Sequence, residues 1–173
     1  MPRIPFIDPV SEPEDVRPVF EQLRRTRGQV PGMYRLLAHQ PAVLAAHRAY
    51  FHVALDAGML PRAFKEKIAF KTARLCGSAY SSASHRRYAL KHGVSEQEIV
   101  AIDRSDYTAL APKERAALEF AEMMVRSNGA VTDAVCENLR AHFSDAEFVE
   151  IVALIGIMQL AGTFGAVFDL QPD

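Results

Sequence analysis

A glutamate, two serines and a histidine stand at a spacing that suits acid/base chemistry: Glu66, Ser78, Ser81 and His85, within the stretch KEKIAFKTARLCGSAYSSASH. Ser78, Ser81 and His85 follow one another at i, i+3 and i+7, so on a helix they share one face. Near a helix start, free backbone N–H groups and the dipole stabilise negative charge, which would help a nucleophile or a bound carboxylate. Glu66 falls on the preceding helix. With the two helices packed antiparallel around Gly77, its carboxylate meets His85 and orients the imidazole, as a general acid/base requires. The plainer reading of the same residues is structural: serines at a helix start act as caps, and a glutamate on a helix is usually solvated.

The remaining chemistry-bearing residues give weaker patterns. His47 and His52 lie five apart, which does not fit the i, i+4 spacing of a helical metal pair. His39, His92 and His142 have no carboxylate or cysteine companion in the sequence, and no metal site is expected. The two cysteines, Cys76 and Cys136, are too far apart for a C-x-x-C pair and too few for a disulfide scaffold or a four-cysteine metal site. Two buried thiols in a reducing cytosol are expected.

The elements that must position these residues are helices throughout. Met1 to Pro13, with four prolines and no apolar signal core, forms an extended arm, and residues 14–173 form one domain. Ser11 with Glu14 is a capping box opening an amphipathic helix through Val16, Val19, Phe20 and Leu23 to Gly28, although Pro18 moves the cap toward Asp15. Val30-Pro31-Gly32 is a turn before the apolar run Met33 to Leu37. Pro41 opens a helix to Gly58, Pro61 one to Gly77, and the pattern resumes from Ala79 to His92. Ser95 with Glu98 and Ser144 with Glu147 are further capping boxes, Pro112 begins a helix that ends at Ser127-Asn128-Gly129, and Thr132 or Asp133 caps another. No strand is expected.

Composition bounds the partners. Lys and Arg number 20 against 21 Asp and Glu, a formal charge of −1, so no net field draws nucleic acid or an anionic membrane. One segment raises a membrane question, because Ile151 to Phe168 carries no charge over 18 residues. Gly156, Gly162, Gly165, Gln159 and Thr163 dilute it, and a helix buried all round in a core or a subunit contact is the preferred reading. A cytoplasmic protein follows. Met33, Tyr34, Phe51 and Tyr80 are the expected apolar lining of a substrate pocket.

The E-x11-S-x2-S-x3-H spacing of Glu66, Ser78, Ser81 and His85 resembles the E-x11-C-x2-C-x3-H motif of the alkylhydroperoxidase D branch of the carboxymuconolactone decarboxylase-like family, with serine at both cysteine positions. Val30-Pro31-Gly32-Met33, Leu36 to Pro41, Ala73-Arg74-Leu75, Gly93-Val94-Ser95 and Leu139 to Ser144 are similar to the family's flanking runs, so the likeness spans roughly residues 30 to 168. It implies an all-α helical bundle that assembles into homo-oligomers: dimers, trimers or hexamers.

By the same resemblance, Ser81 stands where the peroxidatic cysteine would be and Ser78 where the resolving one would be. Glu66 and His85 match the proton relay, and Tyr80 lies where some members place another relay group. A serine hydroxyl is far less acidic than a thiol and forms no disulfide, so thiol peroxidase activity is not expected. Either the chain is a natural cysteine-less member or its serines were engineered into a redox enzyme; the first is favoured. The leading expectation is a cofactor-independent acid/base enzyme, decarboxylase-like or lactone-processing, acting on a small carboxylated or lactone substrate. A lactone hydrolase with Ser81 as nucleophile and a redox-dead binding or assembly protein are the alternatives.

Overall fold

The computed structural model describes residues 2–172. Among these there are nine α-helices and no strand: α1 (Arg17–Arg27), α2 (Gly32–Leu37), α3 (Pro41–Phe51), α4 (Arg62–Leu75), α5 (Ala79–Lys91), α6 (Glu96–Asp103), α7 (Pro112–Arg126), α8 (Asp133–Arg140) and α9 (Asp145–Val167). Local chemistry accounts for most boundaries. Ser95 and Ser144 each accept a backbone N–H three residues on while Glu98 and Glu147 reach back, the reciprocal bonds of a capping box. Pro41 and Pro112 sit in first turns, where a missing N–H costs nothing. Asn128 and Gly129 take positive φ after α7.

The N-terminal boundary differs from the sequence expectation. Ser11 and Glu14 form no capping box; Glu14–Val16 is a 3-10 turn, and α1 begins at Arg17 with Pro18 in its first turn. The arm is docked: Arg3 N–H donates to the Phe168 carbonyl at 3.0 Å, and its guanidinium reaches the Ala166 and Val167 carbonyls at the end of α9. Both thiols are half-buried rather than buried. Thr132 caps α8 by position, without a side-chain bond.

Helix α4 is the axis of the fold. It packs against α5, α7 and α9, and every residue from Phe64 to Ala73 is buried, four of them charged. Lys65 meets Glu150 at 2.7 Å, Lys67 meets Glu98 at 2.6 Å and Glu114 at 2.7 Å, and Lys71 meets Glu122 at 2.8 Å. Long lysine stems pack among apolar neighbours while each ammonium ends on a carboxylate, which is how a buried charge is tolerated. Two apolar clusters flank this axis. One joins Ile68, Leu118, Phe120 and Leu154; the other joins Phe20, Leu23, Met33, Tyr34 and Tyr80 beneath the arm.

Helix α9 is long and apolar enough to cross a membrane by composition, yet Ile151, Leu154, Ile155, Ile157, Met158 and Ala161 are buried in the fold. It is not buried all round: Val149, Val152, Leu160 and Val167 form an exposed uncharged stripe. Its glycines permit close approach to the α4–α5 connection. A Cβ on Gly162 would stand 2.8 Å from Cys76 Cβ, and one on Gly165 2.7 Å from Ser78 Oγ. Gly162→Ala is therefore expected to destabilise the protein by about 1–2 kcal/mol despite alanine's better helix propensity. Urea unfolding of the variant checks this, with an unchanged or raised midpoint as the contrary result.

Candidate active site

Helices α4 and α5 are joined only by Cys76, Gly77 and Ser78. Gly77 takes φ +67°, a left-handed conformation in which a side chain is strained, and this lets the chain reverse at once. The reversal brings the middle of α4 against the middle of α5. His85 Nδ1 lies 2.7 Å from Glu66 Oε2, with Glu66 fully buried and His85 nearly so. Arg62, one turn before Glu66, donates through Nε to Glu66 Oε1 at 2.8 Å and also binds Asp56. Asp56 ends a π-helical turn, His52–Asp56, that continues α3 and carries Leu55 toward the same place.

Burial by itself would raise the Glu66 pKa, but the facing His85 and Arg62 outweigh it and hold the carboxyl below its ordinary value. The ionised carboxylate accepts the Nδ1 proton, fixes the imidazole tautomer and leaves Nε2 as the free ring nitrogen. His85 lines a cavity of about 40 Å³ at the seam between the two apolar clusters. Met33, Tyr34, Phe51, Tyr80 and Ser81 line it too, as do Arg27, His47 and Arg62. Tyr80 is fixed by accepting the Met33 N–H at 3.2 Å.

The two serines separate in role. Ser78 is the N-cap of α5, its Oγ accepting the Ser81 N–H at 3.2 Å, and it lies under Gly165 away from the cavity. Ser81 lies on the cavity wall, and its hydroxyl makes no hydrogen bond to His85 among the described residues. Of the residues singled out in the sequence, Ser81, His85, Tyr80, Met33 and Tyr34 thus surround one space, Glu66 stands behind His85, and Ser78 serves the helix start.

Sequence reasoning passed over several cavity residues, Arg27, His47, Arg62 and Tyr88 among them. Arg62 was legible as the i−4 neighbour of Glu66. His47, set aside as a metal ligand, is 6% exposed, and neither ring nitrogen has a hydrogen-bond partner. Arg27 has the rings of Tyr34, Phe51 and Tyr88 beneath its guanidinium at 5.4 to 5.8 Å, with no carboxylate paired to it among the described residues. Tyr88 is ringed by Arg27, Arg62, Arg87 and Lys91, and its π-face offsets part of their mutual repulsion. No group of three His, Cys, Asp or Glu converges as a metal site among the described residues.

The all-helical fold is the alkylhydroperoxidase D-like architecture. The match is close to a solved peroxidase-related protein with an alkylhydroperoxidase core from Ralstonia eutropha JMP134: TM-score 0.89 over 99% of this chain and 92% of that one, at 23% identity. The debrominase Bmp8, solved in complex with 2,3,4-tribromopyrrole, shares the fold at TM-score 0.81 over 92% of this chain and 86% of its own, at 22% identity. Uncharacterized protein YnjA of Escherichia coli strain K12 is 25% identical across 95% of this chain and 92% of its own length. Residues 41–123 match the model of the carboxymuconolactone decarboxylase family. Over that segment, which holds Glu66, Ser78, Ser81 and His85, the chain is similar to the carboxymuconolactone decarboxylase family.

The buried groups set an acid limit on stability. Burial, aided by the neighbouring Arg48 charge, lowers the His47 pKa from 6.5 to about 4, so the folded chain keeps this imidazole neutral where the unfolded chain protonates it. Stability is then fully present above pH 6.5 and lost as pH falls toward 4; the lowered Glu66 pKa adds a further loss below the ordinary carboxylate range. The His47 contribution has a slope of about 1.4 kcal/mol per pH unit inside that window. Denaturant titrations at pH 7, 6 and 5 are expected to show it, and His47→Phe to flatten it; an equal slope in both proteins is the contrary result.

Proposed function

We propose that the protein is a cofactor-independent acid/base enzyme, decarboxylase-like or lactone-processing, that acts in the cytoplasm on a small carboxylated ring or lactone. The observation that carries this reading is His85, locked through Nδ1 to a buried carboxylate and free at Nε2, on the wall of a cavity that also holds Arg27. In a decarboxylation the C–C bond to the departing carboxylate breaks, carbon dioxide leaves, and the electron pair enters a conjugated dienolate. The His85 imidazolium then delivers its Nε2 proton to carbon, and solvent restores it. Glu66, bound at Nδ1, holds the ring in place for the transfer, and Ser81 supplies a hydroxyl for a substrate oxygen.

Charge dictates where the substrate carboxylates go. A carboxylate about to leave as neutral carbon dioxide gains nothing from a tight ion pair, which stabilises the ground state more than the transition state. Arg27 therefore suits a second, unreacting carboxylate or a lactone carbonyl. The flat ligand of the structurally similar Bmp8 supports a ring-shaped substrate for this cavity. Two hydroxyls in place of thiols argue against a peroxidase. The missing Ser81–His85 bond weighs against a serine hydrolase.

Self-association through the exposed stripe of α9 belongs to the same reading. Val149, Val152, Leu160 and Val167 recur at helical spacing without an intervening charged surface residue between Val152 and Val167, and Tyr50, tied to the Ala153 carbonyl at 3.1 Å, extends the apolar face. A homo-oligomer would cover it.

Two outcomes are expected. With a carboxylated enol lactone as substrate, Glu66→Gln and His85→Ala should each lower kcat by about 10²- to 10⁴-fold, the usual contribution of a positioned general acid; turnover unchanged in His85→Ala would remove the proposed acid. Analytical ultracentrifugation should find an oligomer that Leu160→Glu converts to monomers, and a monomeric parent protein would refute the α9 interface.

A further inference from the structure

The cavity holds one group that the proposed chemistry leaves unused. His47 lies on α3, almost wholly buried, with Nδ1 and Nε2 both unpartnered. The other buried ionisable side chains do not share this condition: Glu66, Lys65, Lys67, Lys71 and His85 all end on partners. A buried polar ring with no partner from the protein itself is costly unless something in the cavity meets it, and such groups call for an explanation in function. Its orientation is fixed on two sides. Tyr34 meets the ring edge-on at 5.9 Å, and Phe51 stacks on it at 6.0 Å while also lying 6.5 Å from the His85 ring. The two imidazoles therefore flank one phenyl ring on the wall of a common cavity.

We propose that His47 is a substrate-recognition residue that hydrogen-bonds a hydroxyl group on the buried end of a ring-shaped carboxylate ligand. The proposal rests on reading the Glu66–His85 cavity as the substrate site, and it names the chemistry at the far end of that substrate. A neutral imidazole offers one N–H and one lone pair. A hydroxyl, which both donates and accepts, can use either nitrogen; a carboxylate, which only accepts, would meet a lone pair at one of them. Burial and the adjacent Arg48 charge keep the ring neutral in this position.

The opposite end of the ligand is set by a second recess. It has a volume of about 310 Å³ and shares Arg27, Arg62 and Tyr88 with the inner cavity. Arg48 and Lys91 add to its positive charge, and Asp56 is the acid on its wall. An anionic group belongs there, where water still solvates it and arginines face it. Inner and outer spaces together select a flat molecule that enters hydroxyl first and leaves its carboxylate at Arg27.

The test uses rigid probes of that shape and needs no knowledge of the natural substrate. Binding of 4-hydroxybenzoate and of 4-methylbenzoate, which replaces the hydroxyl by a methyl group, is measured by calorimetry on the full chain. The parent protein should bind the hydroxyl probe about tenfold more tightly, the value of one well-made hydrogen bond. His47→Phe should abolish the difference and His47→Gln, which keeps a donor and an acceptor, should restore part of it. Arg27→Gln should weaken both probes alike.

His47→Phe should also melt no lower than the parent at pH 7, because the ring it removes has no partner to lose. A clear drop in melting temperature would mark His47 as structural and overturn the proposal. So would equal affinity for the two probes, retained discrimination in His47→Phe, or no binding of either probe at millimolar concentration. Discrimination that depends on His47 in a protein whose turnover survives His85→Ala would defeat the catalytic reading while leaving this one standing.

Discussion

The Glu66 carboxylate is the constraint around which the molecule is arranged. It has no exposure to water and sits between an arginine on its own helix and a histidine on the next. A charge so placed is tolerable only while both partners stay in register, so the α4–α5 hairpin cannot slide or rotate without uncovering it. The immediate reversal at Gly77, the π-helical turn that brings Asp56 to Arg62, and the glycines of α9 over the hairpin all serve that register. The same pairing that stabilises the hairpin fixes the His85 tautomer. The hairpin and the proposed chemistry depend on the same hydrogen bond.

Around this centre the chain tolerates an unusual core helix. Lys65 leaves α4 toward α9 while Lys67 and Lys71, one turn apart, leave it toward α6 and α7, and each finds its carboxylate on another element. Breaking one such bridge would leave a desolvated ammonium, so the set acts as a registration device for α6, α7 and α9 rather than as a surplus of binding energy. Thr72 Oγ1 and Arg48 Nε also lack partners in this interior, but His47 is unpartnered at both polar atoms and lines the cavity, which is what assigns it to a ligand in the proposal above.

Local signals survived the passage from sequence to structure. The boxes at Ser95 and Ser144, the prolines at 41 and 112 and the left-handed stop at Asn128-Gly129 depend on neighbours within three or four residues, and they appear where the sequence puts them. The Ser11–Glu14 box failed because Pro18 sets the first turn of α1 further along. The motif spacing located Glu66 and His85, and helical periodicity placed Ser81 beside His85 on the cavity wall. Long-range facts were not legible. A glutamate or lysine on a helix reads as solvated, and only partners 19 to 85 residues away decide otherwise. Ser78 and Ser81 share a helix face in sequence, but the helix start takes one for its cap and the cavity takes the other.

The cationic recess outside the cavity belongs to a chain whose charges nearly cancel, at −1. Near-neutrality overall leaves the far field weak, so the arginines act at short range, where a low-dielectric wall concentrates the field at one opening. Capture of an anion would quicken at low ionic strength and slow as salt shortens the screening length, about 8 Å under physiological conditions. The pocket mouth would work as an ion-selective antechamber, admitting molecules by charge before the interior sorts them by shape.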